Sequence, residues 1–270
     1  MYLGIDVGGT KTLLAIFSSE GKILKQRKFP TPKKYPDFLT QLKNTLQEFG
    51  EYHISACCCA LPAIIDRAKG IGLEFGRLAW KNVPIKQDLE NLLPGIKIAI
   101  ENDAKLAGLS EALLTHGEYK NVLYLTIGTG IGDGIITNGK IDINYQDSEA
   151  GQMILEHNGK LVKWEDMASG QAIVAQYGKK AQDINDPAVW REYVKLLAPG
   201  IDALAATLQP DAVIIGGGVG THFDKFGALL NEELKKYANK MVEMPPIIKA
   251  KRPEEAVIYG CYDYIHQNIG

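Results

Sequence analysis

From Tyr2 to Phe29 the chain passes through an apolar run (YLGIDV), a glycine step, a second apolar run (LLAIF), the turn SSEG and a third strand-like run. That pattern predicts a meander of three strands. Asp37 can cap a helix over about 37–49, HISACCCAL reads as a buried strand, and IKQDLENLL carries helical spacing. IKIAI is then a short strand running into a helix that begins at Asp103. The order βββαβαβα describes a mixed sheet with helices packed against it.

The theme returns in NVLYLTIGTGIGDGIITNGKIDI: an apolar run, a glycine tip, a second run, an Asn-Gly turn and a third strand. A glycine-tipped hairpin near the start of each half points to a duplicated architecture. Residues 164–208 read as mostly helical, DAVIIGGG as a strand, about 223–238 as a helix, and roughly 253–267 as a last helix after a proline-rich approach. No low-complexity linker separates the halves, so the repeat alone sets a boundary near Ala104.

Composition narrows the function classes. A chain of 270 residues can form two domains with a sizeable core. Its 30 Lys and Arg against 32 Asp and Glu leave a net charge of -2, without the basic field that holds a nucleic-acid backbone, so no nucleic-acid partner is expected. No apolar run approaches bilayer length and the opening residues are strand-like rather than a leader, so no membrane association and a cytoplasmic location are expected. Cys57, Cys58 and Cys59 are consecutive on one strand and point to alternate faces, which prevents joint chelation; with Cys261 they read as small buried hydrophobes.

The candidate chemistry lies at the breaks in the pattern. In DVGGTKT, Gly8 and Gly9 leave backbone amides unshielded between Asp6 and the pair Thr10 and Lys11, and such amides can face phosphate oxygens. A nucleotide P-loop needs GxxxxGK followed by Ser or Thr and a helix, which are missing. A dinucleotide-binding GxGxxG needs a helix next, whereas more strand follows GTGIGD and Asp133 stands at the third glycine position. What remains is a hairpin reading, in which DVGGTK and TIGTGIG, with Gly128, Thr129 and Gly130, grip a polyphosphate. Gly216, Gly217 and Gly218 close a strand and can offer a flat surface to adenine or ribose. In ENDAK, Asn102 and Asp103 suit a helix cap, and Asp103 equally suits a proton acceptor.

Taken in order, GIDVGGTKT, ENDAKLAGLSEA, LTIGTGIGDGII, SEAGQM, WEDMASGQAI and DAVIIGGGVG resemble the ROK family (repressors, uncharacterised open reading frames and sugar kinases) of the hexokinase, actin and Hsp70 superfamily. The resemblance implies an α/β, two-domain actin-like ATPase (ribonuclease H-like) fold with an interdomain cleft. It implies a first domain of residues 1–104 plus about 254–270, a second of 105–253, and a homodimer. The activity implied is phosphoryl transfer from ATP to a hexose hydroxyl, glucose and its 6-hydroxyl foremost. Asp103 would be the general base; Asn102, Glu149, Gln152 and Glu165 would bind the sugar. Asp6 would support Mg2+ directly or through water, and Gly8, Gly9, Thr10, Lys11, Gly128, Thr129, Gly130 and Gly216 to Gly218 would hold the donor.

Two departures bear on the sugar side. Gln152 stands where the family has a histidine, and ILEHNGKLVKWED lacks the family's cysteine cluster; His157 alone cannot supply four zinc ligands, so no zinc is expected. In ALPAIID, Ala63 replaces the common glycine of a Pro-Gly step. Short, zinc-less polyphosphate-dependent glucokinases are similar at GGGVGTHFDKF, which keeps polyphosphate as an alternative donor and glucomannokinase as an alternative activity. A sugar-sensing ROK regulator would need a DNA-binding module before the strand at Tyr2, and a non-catalytic sugar binder would not need Asp103.

Overall fold

The computed structural model describes residues 1–237 and 240–269, which form two compact units: Met1–Ser110 joined by the segment from Glu255 onward, and Glu111–Glu254. The first unit opens with β1 (Tyr2–Val7), β2 (Lys11–Phe17) and β3 (Ile23–Pro30), followed by α1 (Tyr35–Gln47) and β4 (Ala56–Leu61). A small antiparallel sheet of β5 (Ala63–Asp66), β6 (Ile71–Phe75) and β7 (Lys81–Val83) precedes α2 (Ile85–Leu92), β8 (Lys97–Asn102) and α3 (Asp103–Leu113). The second unit holds β9 (Asn121–Ile127), β10 (Ile131–Thr137) and β11 (Lys140–Ile141), then the hairpin of β12 (Ile154–His157) and β13 (Lys160–Lys163). Next come α4 (Trp164–Ala168), α5 (Gly170–Tyr177), α6 (Pro187–Leu208), β14 (Ala212–Gly216), α7 (Gly217–Gly220), α8 (Phe223–Leu234) and β15 (Ile247–Lys249). The last helix, α9 (Ala256–Asn268), belongs to the first unit.

Each unit is built on the same five-stranded sheet, β3-β2-β1-β4-β8 in one and β11-β10-β9-β14-β15 in the other. The meander pairs antiparallel and the remaining strands add in parallel, with Ile5 opposite both Leu14 and Cys59, and Leu125 opposite both Asp133 and Ile215. Parallel strands need both faces covered. Accordingly β4 and β14 are buried at every position. In the first unit one face carries a core of Ile5, Leu14, Phe38, Cys57, Cys59 and Trp80, while α9 covers the other through Ile258 against Ala15 and Phe17. The second core centres on Trp164, Trp190, Tyr193 and Phe226, the last three mutually in ring contact. All four cysteines are unpaired and buried, and burial pushes the thiols of Cys57, Cys58 and Cys59 well up, so they stay protonated.

Several expected bounds shift. Asp37 is not the cap of α1: that position is Lys34, which makes no side-chain cap bond, and Asp37 lies in the first turn beside Pro36, where a carboxylate still favours the dipole. The helix expected to reach residue 238 ends at Leu234, and Ala238 lies outside the described residues. The mostly helical stretch of 164–208 comprises α4, α5 and α6, interrupted at Ser169, which caps α5 by accepting from Ala172 N–H, and at the left-handed Gly178. The sheet of β5 to β7, the β12–β13 hairpin and β15 were not expected; β7 and β15 are three residues each, too short to carry a period.

Candidate active site

The tip of the β1–β2 hairpin is closed by a hydrogen bond from Gly8 N–H to the Lys11 carbonyl at 3.0 Å. A side chain on Gly8 would stand 2.8 Å from that carbonyl, so the turn requires glycine. Hydroxyls fix the tip from below. Thr31 Oγ1 donates to the Gly8 carbonyl at 2.7 Å, so the 2.9 Å contact between Thr12 and Thr31 hydroxyls is donated by Thr12; Thr31 N–H reaches the Thr10 carbonyl at 3.0 Å. Sequence reasoning missed both threonines, although a fully buried Thr12 among apolar neighbours on β2 was the available signal. The aliphatic stem of Arg77 lies over Gly9, and Lys11 is exposed beside it. Asp6 is half-buried near the end of β1, and desolvation pushes its carboxyl up to about 6 against the pull of Lys11 and Lys28.

At the junction of β8 and α3, Asn102 takes the capping role. Its Oδ1 accepts from Ala104 N–H at 2.9 Å and Lys105 N–H at 3.3 Å, and its amide donates to the Ala63 carbonyl at 3.3 Å. Asp103 opens the helix half-buried, with Oδ1 held at 2.8 Å by Ala104 N–H. Behind them Glu101, 3 % exposed at its side chain, accepts from Asn102 N–H at 2.7 Å and from the Arg67 guanidinium at 2.8 and 2.5 Å. Two parallel N–H donors make that pair directional as well as strong. Neither Glu101 nor Arg67 stood out in the sequence, because their pairing depends on the β5–β6 turn.

The second unit carries the other tip. Gly128 N–H donates to the Gly130 carbonyl at 3.0 Å, and Gly170 N–H, at the start of α5, donates to the Gly128 carbonyl at 2.7 Å. Thr129 is exposed at the apex. Glu165 stands against this tip: its Oε2 occupies the space a side chain on Gly130 would need and lies 3.4 Å from Ile131 N. Its Oε1 accepts from the Gln152 amide at 2.5 Å. Glu165 is placed by Trp164, whose buried indole packs on Gly200 and donates to the Leu196 carbonyl at 3.3 Å. Glu149 is exposed at the head of a 3-10 turn, Ala150–Gln152, and its carbonyl accepts from Gln152 N–H at 3.0 Å. Glu149, Gln152, Glu165 and Gly130 thus belong to one local group.

The three glycines after β14 differ in exposure. Gly216 is buried against the Tyr124 ring and supports the loop from beneath. Gly217 has φ +77°, and a side chain there would stand 2.6 Å from Thr126 Oγ1; a side chain on Gly218 would meet nothing within 4 Å, and the Gly218 carbonyl accepts from the Thr221 hydroxyl at 2.8 Å. Gly170 ties this loop to the Gly128 tip, since a side chain on it would meet both the Gly128 carbonyl and Val219.

The donor set for zinc does not fit. The segment that would carry cysteines is the β12–β13 hairpin, turned at Asn158 and Gly159 with positive φ, and His157 Nε2 there lies 3.0 Å from the Asn158 amide. Among the described residues no group of three or more His, Cys, Asp or Glu is arranged to hold a metal ion.

Comparison with known proteins gives this geometry its setting. The chain is 28 % identical to the N-acetyl-D-glucosamine kinase of Haemophilus influenzae, over 96 % of this chain and 97 % of the relative. It is 24 % identical to the glucokinase of Streptomyces coelicolor, over 97 % and 96 % respectively. A ROK family glucokinase from Streptomyces griseus, crystallised with glucose and AMPPNP, superposes with a TM-score of 0.83 over 99 % of both chains at 21 % identity. The fold is therefore the two-domain, actin-like ATPase fold of mixed α/β class. With residues 2–268 matching the family model as well, the chain belongs to the ROK family.

Proposed function

We propose that this sugar kinase of the ROK family transfers the terminal phosphoryl group of ATP to a hexose hydroxyl, with glucose as substrate and its 6-hydroxyl as acceptor. The observation that carries the reading is the arrangement at the start of α3. Asn102 caps the helix through the Ala104 and Lys105 N–H groups, and Asp103 shares the Ala104 N–H at its Oδ1, which fixes the direction of the carboxylate. A carboxylate so oriented lines up the attacking hydroxyl and takes its proton as the bond to phosphorus forms. Glu149, Gln152 and Glu165 accept and donate hydrogen bonds to the remaining hydroxyls, for which carboxylates and amides are suited.

On the donor side, Gly8, Gly9, Thr10 and Lys11 offer bare amides and a cation, and Gly128, Thr129 and Gly130 offer the same backbone device without the cation. The exposed turn at Gly218 can lie against the nucleoside. Magnesium commonly binds through one or two carboxylates together with phosphate oxygens and water. Asp6 fits that requirement, since a carboxyl held up by desolvation gains from a nearby cation. When bound, the ion would neutralise charge on the transferring phosphoryl group. The AMPPNP complex of the Streptomyces griseus relative supports ATP as donor, while the N-acetyl-D-glucosamine kinase among the relatives keeps the hexose class broad. No described helix is long and apolar enough to cross a membrane; a cytoplasmic location and a homodimer belong to the same proposal, the homodimer from the family resemblance alone.

The test is a panel of hexoses with magnesium and either ATP or polyphosphate, read by hexose phosphate formed. Glucose phosphorylated with ATP is the expected result. Turnover with polyphosphate alone would overturn the donor assignment. Saturable sugar binding without turnover would make the protein a binder rather than a kinase. Light scattering checks the dimer.

A further inference from the structure

We propose that Asp133 is a positioning residue for the sugar-binding loop, clamping the residues on either side of Glu149 to the strand that leaves the second glycine tip. The inference rests on the reading of Glu149, Gln152 and Glu165 as sugar ligands.

Asp133 lies on β10 opposite Leu125 of β9 and is 2 % exposed, in a position where an apolar or small residue would suit the sheet. A carboxylate is tolerated in such a place when hydrogen bonds satisfy it. Here Oδ1 accepts from Ala150 N–H at 2.7 Å and Oδ2 accepts from the Ser148 hydroxyl. Those two donors flank Glu149 in the chain, so a single side chain fixes the backbone on both sides of a residue that is itself exposed. The next turn is then pressed onto the same strand: Gly151 approaches so closely that a side chain on it would run into the Ile131 carbonyl and stand 3.2 Å from Glu165 Oε2. Gln152 follows and donates to Glu165 at 2.5 Å. The path Asp133, Ser148 and Ala150, Glu149, Gln152, Glu165 is continuous within the second unit. The organising element of this path is the buried acid on β10.

The experiment compares the full-length protein with its Asp133→Ala, Asp133→Asn and Ser148→Ala variants, in steady-state kinetics and in hydrogen–deuterium exchange of the peptide spanning 148–152. Loss of bonds to a charged acceptor should raise the hexose KM about tenfold to a hundredfold in Asp133→Ala. The KM for ATP should stay within about twofold and exchange in the loop should accelerate. Asn keeps an acceptor for Ala150 N–H, and the Ser148 hydroxyl can turn to accept from its amide. Asp133→Asn should therefore recover the hexose KM to within about threefold. Ser148→Ala, which removes the hydroxyl's contacts with Asp133 and with the Tyr145 carbonyl and folds under milder stress, should give a several-fold increase in hexose KM. An unchanged hexose KM in both Asp133→Ala and Ser148→Ala, or equal losses for ATP and hexose, overturns the clamp. A wild-type protein that neither binds nor phosphorylates any hexose overturns the reading of the site instead, and is seen before any variant is made.

Discussion

The two glycine tips occupy equivalent places in the same strand order but are held by different chemistry. At the first, neutral hydroxyls of Thr31 and Thr12 hold Gly8, with Lys11 and the stem of Arg77 alongside. At the second, Gly128 is held by the backbone of Gly170, Gly130 abuts the Glu165 carboxylate, and a buried acid, Asp133, follows three residues later. Bare amides at both tips suit the anionic donor proposed for them; the first has cations alongside, while the acids adjoining the second suit the hydroxyl-rich acceptor. A duplicated scaffold thus fixes where each loop sits, and a few polar side chains decide what it can meet. The acids of the first unit, Asp6 and Asp103, lie at strand ends, while Glu165 and Asp133 are committed to Gln152, Ser148 and Ala150.

The largest effect expected separates a reacting acid from binding ones. Asp103→Asn should lower kcat by roughly two to four orders of magnitude while hexose binding by calorimetry persists; near-normal turnover would remove Asp103 from the chemistry. Next, Gly130→Ala should cost about tenfold to a hundredfold in kcat/KM because the added methyl displaces Glu165, whereas Gly9→Ala meets the Arg77 side chain no closer than 3.2 Å and should cost a few-fold. Equal losses in steady-state assays would mean the tips are not distinguished by their neighbours.

A smaller effect concerns pH. The Asp6 carboxyl is pushed to about 6, above its ordinary value, so its charged form opposes folding; that cost is complete above pH 6 and fades as pH falls toward the unfolded value. Asp6→Asn should accordingly raise stability at pH 8 by about 1–2 kcal/mol, reduced from the full shift because the group is partly exposed. The gain should vanish near pH 4, and nucleotide affinity should fall. Urea titrations across pH check the first part, and a gain that grew on acidification would contradict it. Thr31→Val is expected to be mildest, costing about 1 kcal/mol through the lost bond to Gly8 and the stranded Thr12 hydroxyl. Its KM for nucleotide should rise more than its KM for hexose.

Much of this site could be read from the sequence because its parts are local. The glycine tips and the strand-to-helix step at Asn102 and Asp103 follow from periods and breaks within a few residues of one another, whereas the acid of WEDMASG was singled out only by the resemblance to the ROK family. The β12–β13 hairpin was not expected, although the Asn158 and Gly159 at its turn are a usual signal of one. Other features carried no such signal. Thr31 comes from the far end of β3, Arg67 from the β5–β6 turn, and Ser148 from a loop with no period, so nothing near them in the chain announces their partners.

The alternation of apolar and polar residues, the glycine positions and the balance of charge determined by themselves the duplicated α/β plan and the kind of chemistry it can host, because secondary structure and turns respond to neighbours in the chain. Which acid is buried under the loop that carries Glu149 and which glycine of 216–218 lies under Tyr124 were decided by the tertiary structure alone. Hydrogen bonds and desolvation act between atoms a few ångströms apart in space, whatever their distance along the chain.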